Sequence, residues 1–71
     1  MKDIAIRGEF ITLGQLLKLV GEVRSGGTAK DYLIDETPIV NGEPENRRGR
    51  KLRPGDTVVL RYEGAIHLTA L

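Results

Sequence analysis

The chain has 71 residues, of which 39% are hydrophobic, 30% charged and 4% aromatic, enough for one small domain (residues 1–71) and too few for two hydrophobic cores. Eleven Lys and Arg oppose ten Asp and Glu for a formal net charge of +1, and the absence of cysteine excludes a disulfide framework, a thiolate metal site and a cysteine nucleophile. The longest strictly apolar runs, such as Val58-Val59-Leu60, are two to three residues against the roughly 20 that span a bilayer; with no signal-peptide pattern in Met1 to Phe10, a cytoplasmic protein without a membrane partner is expected.

Lys2 to Arg7 places Ile4 and Ile6 on one face and Asp3 and Arg7 on the other, the period of a half-buried strand. Thr12 opens a helix, because Gln15 stands where a capping box needs it and Ile11 and Leu16 occupy the positions of a hydrophobic staple. Leu13, Leu16, Leu17 and Val20 then form one apolar stripe, and Gly21 is placed to stop the helix. A second helix is expected after Ser25, whose hydroxyl can accept from the amides of Gly27 or Thr28. It runs through Ala29, Leu33 and Ile34 and ends at Asp35-Glu36-Thr37-Pro38. Gly26-Gly27 would be costly in a helix interior and suit a tight start where something approaches the backbone.

Ile39-Val40 forms a short strand followed by Asn41-Gly42, a tight reversal. Glu43 to Pro54 is a polar loop or ragged hairpin, and Pro54-Gly55-Asp56 launches the strand Thr57 to Tyr62. Glu63-Gly64 turns into a last strand, Ala65 to Leu71, with Ile66 and Leu68 on one face. The order predicts an α+β domain with two helices packed on a small, mainly antiparallel sheet.

The inventory for catalysis is thin: one His (His67), one Ser (Ser25) and scattered carboxylates do not assemble a nucleophile and base. Ser25-Gly26-Gly27-Thr28 lacks the spacing and the terminal Gly-Lys-Ser/Thr of a phosphate loop. No enzyme activity, cofactor, metal or small-molecule substrate is expected. The informative segment is Arg47-Arg48-Gly49-Arg50-Lys51-Leu52-Arg53, which carries +5 while the remainder of the chain is −4. Four of those cations are arginine, whose planar fork fits phosphate. Glu43 and Glu45 are too few to neutralise them. The start of the second helix, with its free amides and partial positive charge, adds Ser25, Gly27, Thr28 and Lys30 to the expected face. Arg47, Arg48, Arg50, Lys51 and Arg53 would line one groove with them, and Lys18 and Arg24 could extend it.

The stretch from Thr12 to Leu60 resembles the S-four RNA-binding domain, named after the fourth protein of the small ribosomal subunit. The resemblance rests on the leucine-rich helix Leu13-Gly14-Gln15-Leu16-Leu17-Lys18-Leu19, on Ser25 with Ala29-Lys30, on Ile39-Val40-Asn41-Gly42 and on Pro54-Gly55-Asp56-Thr57-Val58. It implies the S-four-like (alpha-L) fold, here with added N- and C-terminal strands, and a module that grips structured RNA without catalysing anything. The family's RNA-facing positions fall on Ser25, Thr28, Lys30, Arg47, Arg48, Arg50 and Lys51. Where the family often has arginine this chain has Thr12 and Gly26, which shifts contact towards the loop, and Thr37 replaces the glycine usual at the helix exit. The expected partner is a folded RNA, ribosomal or tRNA-like, with a ribosomal subunit as candidate and the protein a monomer. Three aromatic residues do not make a base-stacking platform for single strands. The alternative is a β-grasp-like protein-interaction adaptor that binds no nucleic acid; DNA in place of RNA stays open on charge alone.

Overall fold

The computed structural model describes all 71 residues. Seven strands and two helices follow in the order β1 (Lys2–Ile6), β2 (Ile11–Thr12), α1 (Leu13–Leu19), α2 (Gly26–Asp35), β3 (Ile39–Val40), β4 (Glu43–Pro44), β5 (Lys51–Leu52), β6 (Thr57–Leu60) and β7 (Gly64–Ala70). The expected α+β fold class is found: a five-stranded sheet in the order β1-β7-β6-β3-β4 and a separate two-stranded β2-β5 pair. Four of the five strand pairings are antiparallel, and β1 joins β7 in parallel.

Helix α1 begins as its capping box dictates. Thr12 Oγ1 accepts from the Gln15 amide at 3.2 Å, and Gln15 Oε1 accepts from the Thr12 amide at 2.8 Å. It ends on Gly21 at φ +79°, where the Gly21 amide donates to Lys18 O and the Glu22 amide to Leu17 O, the paired bonds of a Schellman stop. Helix α2 starts on Ser25, whose hydroxyl accepts from Thr28 N–H. Its exit turns through Thr37 in the left-handed region, φ +38°. A β-branched residue is strained there, but its hydroxyl donates to Leu33 O at 3.1 Å and satisfies an otherwise open helix carbonyl.

Leu13, Leu16 and Leu17 of α1 and Ala29, Tyr32 and Leu33 of α2 pack on Ile6, Val40, Val58, Leu60, Ile66 and Leu68 of the sheet, with Val23 and Leu52 completing one cluster. Helix α2 runs through Ile34 as expected and ends at Asp35; Ile34 itself is 65% exposed, while Tyr32 turns inward. The Tyr32 hydroxyl donates to Glu22 at 2.7 Å and accepts from the Arg61 amide, while the Glu22 carboxylate also accepts from the amides of Tyr62 and Glu63. Those bonds tie the α1–α2 connection to the β6–β7 turn, and they end β6 at Leu60, two residues before the Tyr62 limit read from the sequence.

The polar stretch after Asn41-Gly42 is where expectation and structure diverge most. Asn41 and Gly42 have φ +50° and +86°, as a type I′ turn requires, and β3 pairs with β4 through them. The chain then leaves the sheet. Lys51–Leu52 pairs with Ile11–Thr12 ahead of α1, so the cationic loop is carried across to the helix starts rather than closing a hairpin on β3. Leu52, fully buried, is the apolar anchor of that excursion.

Candidate nucleic-acid interface

Residues Arg47 to Arg50 dock by their backbone on the start of α1. The carbonyl of Arg50 accepts from the Leu13 amide at 2.8 Å and that of Arg48 from the Gly14 amide at 2.9 Å. With Gln15 N–H held by Thr12, the first three amides of the helix, normally orphaned, are all consumed by protein. The α1 start therefore holds the loop and is not itself an anion site.

Arg48 is the hinge of this arrangement. Its side chain crosses so close to Gly14 that a Cβ there would lie 2.5 Å from Arg48 Cγ, and its Nη1 donates to Gly26 O at the start of α2, 3.2 Å away. A groove of about 290 Å³ opens between the two helix starts, lined by Thr12, Gly14, Gln15, Lys18, Gly26, Ala29, Arg48 and Gly49. Its only charged residues are Lys18 and Arg48, both cationic.

Of the residues expected to share one groove, Arg48 lines it. Ser25 caps α2, Gly27 and Thr28 lie in its first turn and Lys30 one turn in, all outside the groove's lining; Arg47, Arg50, Lys51 and Arg53 follow along the loop and β5 and do not line it either. Gly27 has nothing within 4 Å of a Cβ built on it, so its backbone is open on that side, whereas Gly26 is the one approached, by Arg48. Ser25 is a cap, its hydroxyl shared between Thr28 N–H and Thr28 Oγ1. Lys18, read as a possible extension, belongs to the groove; Arg24 does not line it.

Two of the loop cations are already paired. Glu45, 7% exposed, accepts from Arg47 Nε and Nη2 at 2.9 and 3.0 Å and from Arg50 Nη1 at 2.8 Å. The Arg47 hydrogen bond, then that of Arg50, pulls the Glu45 carboxyl down to about 2, with burial opposing; the same contact raises the pKa of Arg47. Glu43 makes no ion pair, so the neutralisation comes from one acid acting on two arginines. Lys51 and Arg53 flank Phe10 instead, with Lys51 Nζ 4.9 Å and the Arg53 guanidinium 5.9 Å from its ring centroid. Phe10 is 38% exposed.

Gly14 and Gln15 were invisible as groove residues in the sequence, where they read only as part of a helix start, and Thr12 stood out only as a cap and as a position where the family often has arginine. Thr12-x-x-Gln15 did announce the cap; nothing local announces that a loop 34 to 37 residues on would settle against it. Elsewhere no three of His, Asp and Glu come together to hold a metal, and His67 lies 3.4 Å from Asp3 across β7 and β1.

The family model for the S4 domain matches residues 4–68, taking in most of β1 and β7 as well as the helices and the loop. Among curated proteins the chain is 49% identical over 65 residues to the "Probable ribosome maturation protein RlbA" of Bacillus subtilis (strain 168), an alignment covering 92% of each chain.

Proposed function

The chain belongs to the S4 domain family, and on that premise we propose that it is a non-enzymatic RNA-binding protein that takes part in ribosome maturation by gripping folded ribosomal RNA. The observation that carries the reading is the cationic groove between the two helix starts, with Arg48 delivered into it by the loop and Lys18 on its α1 wall. Where the family often has helix-borne arginines, this chain has Thr12 and Gly26; both line the groove that Arg48 occupies. The loop guanidinium thus stands in the space that those side chains would serve.

Phosphates meet Arg48, Lys18 and Lys30 around the groove and Lys51 and Arg53 along the loop. Ser25, Gly27 and Thr28 supply the polar first turn of α2, whose partial positive charge favours an anion. Arg47 and Arg50 present the guanidinium edges that Glu45 leaves free. Contacts of this kind read shape and backbone rather than base sequence, which suits structured RNA. The protein acts as a monomer in the cytoplasm, without cofactor or small-molecule substrate.

The test is a titration of labelled ribosomal RNA with the protein between about 50 and 200 mM salt. Each phosphate held steepens the decline of log affinity against log salt by about 0.7–0.9. Arg48→Ala is expected to lower affinity about tenfold, the worth of one charge-assisted hydrogen bond, and to reduce the slope by about one. A flat salt response, or Arg48→Ala and Lys18→Ala variants that bind as the wild type does, would sink the proposal. A protein that purifies free of nucleic acid and retains one protein partner after nuclease treatment would favour the adaptor alternative.

A further inference from the structure

The most cationic segment of the chain is built around an acid. Glu45 sits two residues before the run Arg47 to Arg53 and is almost wholly buried. Its backbone amide donates to Pro38 O at 2.9 Å, which fixes it to the approach of β3. Its carboxylate accepts four bonds: the Arg47 amide at 3.0 Å, Arg47 Nε and Nη2, and Arg50 Nη1. A few residues on, the carbonyls of Arg48 and Arg50 are held by α1. The loop is therefore fastened at both ends, and Glu45 sets the directions of two of its guanidinium groups in between.

For a segment that binds polyanions, an acid paired with two of its arginines works against affinity. It lowers the local charge, and it occupies N–H donors that phosphate would otherwise take. What it contributes instead is order: five neighbouring cations repel one another in the free protein, and a carboxylate shared by two of them removes part of that repulsion. A loop held this way offers one arrangement of donors; a loop without it offers more charge and no fixed arrangement.

We propose that Glu45 is a positioning residue that sets the selectivity of this loop, holding Arg47 and Arg50 so that they serve a folded RNA whose phosphates match them and are withheld from flexible polyanions. The inference rests on the RNA-binding reading above. Glu45 itself touches no RNA.

The experiment measures binding of the full chain to total ribosomal RNA and to poly(U) across salt, for the wild type, Glu45→Gln, Glu45→Asp and Arg47→Gln. Glu45→Gln is expected to bind poly(U) several-fold more tightly, with a slope steeper by about 1.4 as two arginines are released at roughly 0.7 each, while gaining nothing on ribosomal RNA. Glu45→Asp, which keeps the charge, should recover much of the wild-type preference. General destabilisation would weaken both RNAs and would not steepen the poly(U) slope. Arg47→Gln provides the check that does not depend on removing the buried acid: it should weaken ribosomal RNA binding and leave the poly(U) slope unchanged. Parallel shifts on both RNAs in Glu45→Gln, or a full-step loss of poly(U) slope in Arg47→Gln, would overturn the role of Glu45 alone. A wild type with no salt-dependent binding to either RNA would overturn the RNA-binding reading as well.

Discussion

Gly14 shows how much of the interface hangs on one missing methyl group. Alanine there would gain about 1 kcal/mol of helix propensity, yet its Cβ would sit 2.5 Å from Arg48 Cγ and 3.4 Å from Arg48 O, and Cγ, unlike a side-chain tip, cannot swing away cheaply. Gly14→Ala is therefore expected to lower the melting temperature, because the clash outweighs the gain in propensity, and to cut RNA affinity about tenfold at temperatures where the fold persists, as Arg48 loses its place. Calorimetry beside an RNA titration checks this; a variant that binds normally would show that Arg48 is not held by that contact. Arg48 itself was legible in the sequence as one of five clustered cations. Gly14 was not, because its role comes from a loop carbonyl and side chain arriving from far along the chain, and such a meeting leaves no local pattern. Glu45 was legible only as a nearby acid, since its burial follows from the excursion of the loop.

At the scale of elements, the two turns that punctuate the second half of the chain are clamped together. Asn41 Nδ2 donates to Asp56 Oδ1 at 3.1 Å, the Thr57 amide donates to Asn41 Oδ1 at 2.9 Å, and the Arg53 amide donates to Asp56 Oδ2 at 2.8 Å. The turn after β3 thereby fixes where the cationic loop re-enters the sheet at β6. Asn41→Ala should cost about 3 kcal/mol, from two lost hydrogen bonds at about 1 kcal/mol each and about 1 kcal/mol of left-handed strain at φ +50°. Asn41→Gly escapes the strain and should cost about 1 kcal/mol less. Equal destabilisation of the two variants in urea unfolding would show that strain plays no part. Both turns were readable, Asn-Gly and Pro-Gly-Asp each carrying its own chemistry, and so were the two helices with their caps. The β2–β5 pair was not. Strands of two residues have no period to detect, and this one is defined by Leu52 needing burial more than by any propensity of its own.

For the whole molecule, the perturbed ionisations of Glu45 and Tyr32 bracket the pH range of stability. Hydrogen bonds from Arg47 and Arg50 lower the Glu45 carboxyl from an ordinary 4.5 to about 2. A depressed native pKa stabilises above the unfolded value and loses that contribution as pH falls through the native one, so the loop contact weakens between pH 4.5 and about 2. Tyr32 does the reverse. Burial, then its hydrogen bond to Glu22, raises its pKa above the ordinary 10.0, so its contribution is complete below pH 10 and is lost as the solution becomes more alkaline. Unfolding midpoints followed by circular dichroism should fall on both sides of this window. Glu45→Gln should flatten the acid side and Tyr32→Phe the alkaline side; a Glu45→Gln protein with an unchanged acid limb would contradict the assignment. At this scale the formal charge of +1 is a poor guide, because five of the eleven cations fall in Arg47 to Arg53, and Glu45 is the one acid that forms ion pairs with them.

The parallel pairing of β1 with β7 carries a consequence for the protein's own biogenesis. Strand β1 has no other neighbour in the sheet, and its register, from Lys2 opposite Ile66 to Ile6 opposite Ala70, joins nearly the two extremes of the chain. Strand β1 must therefore wait for β7 to be synthesised before it can pair, with Ile4 and Ile6 meanwhile unburied. Contacts this distant slow folding, and completion of the sheet is deferred until β7 is available. An interrupted product lacking β7 would strand β1 without a partner and invite proteolysis.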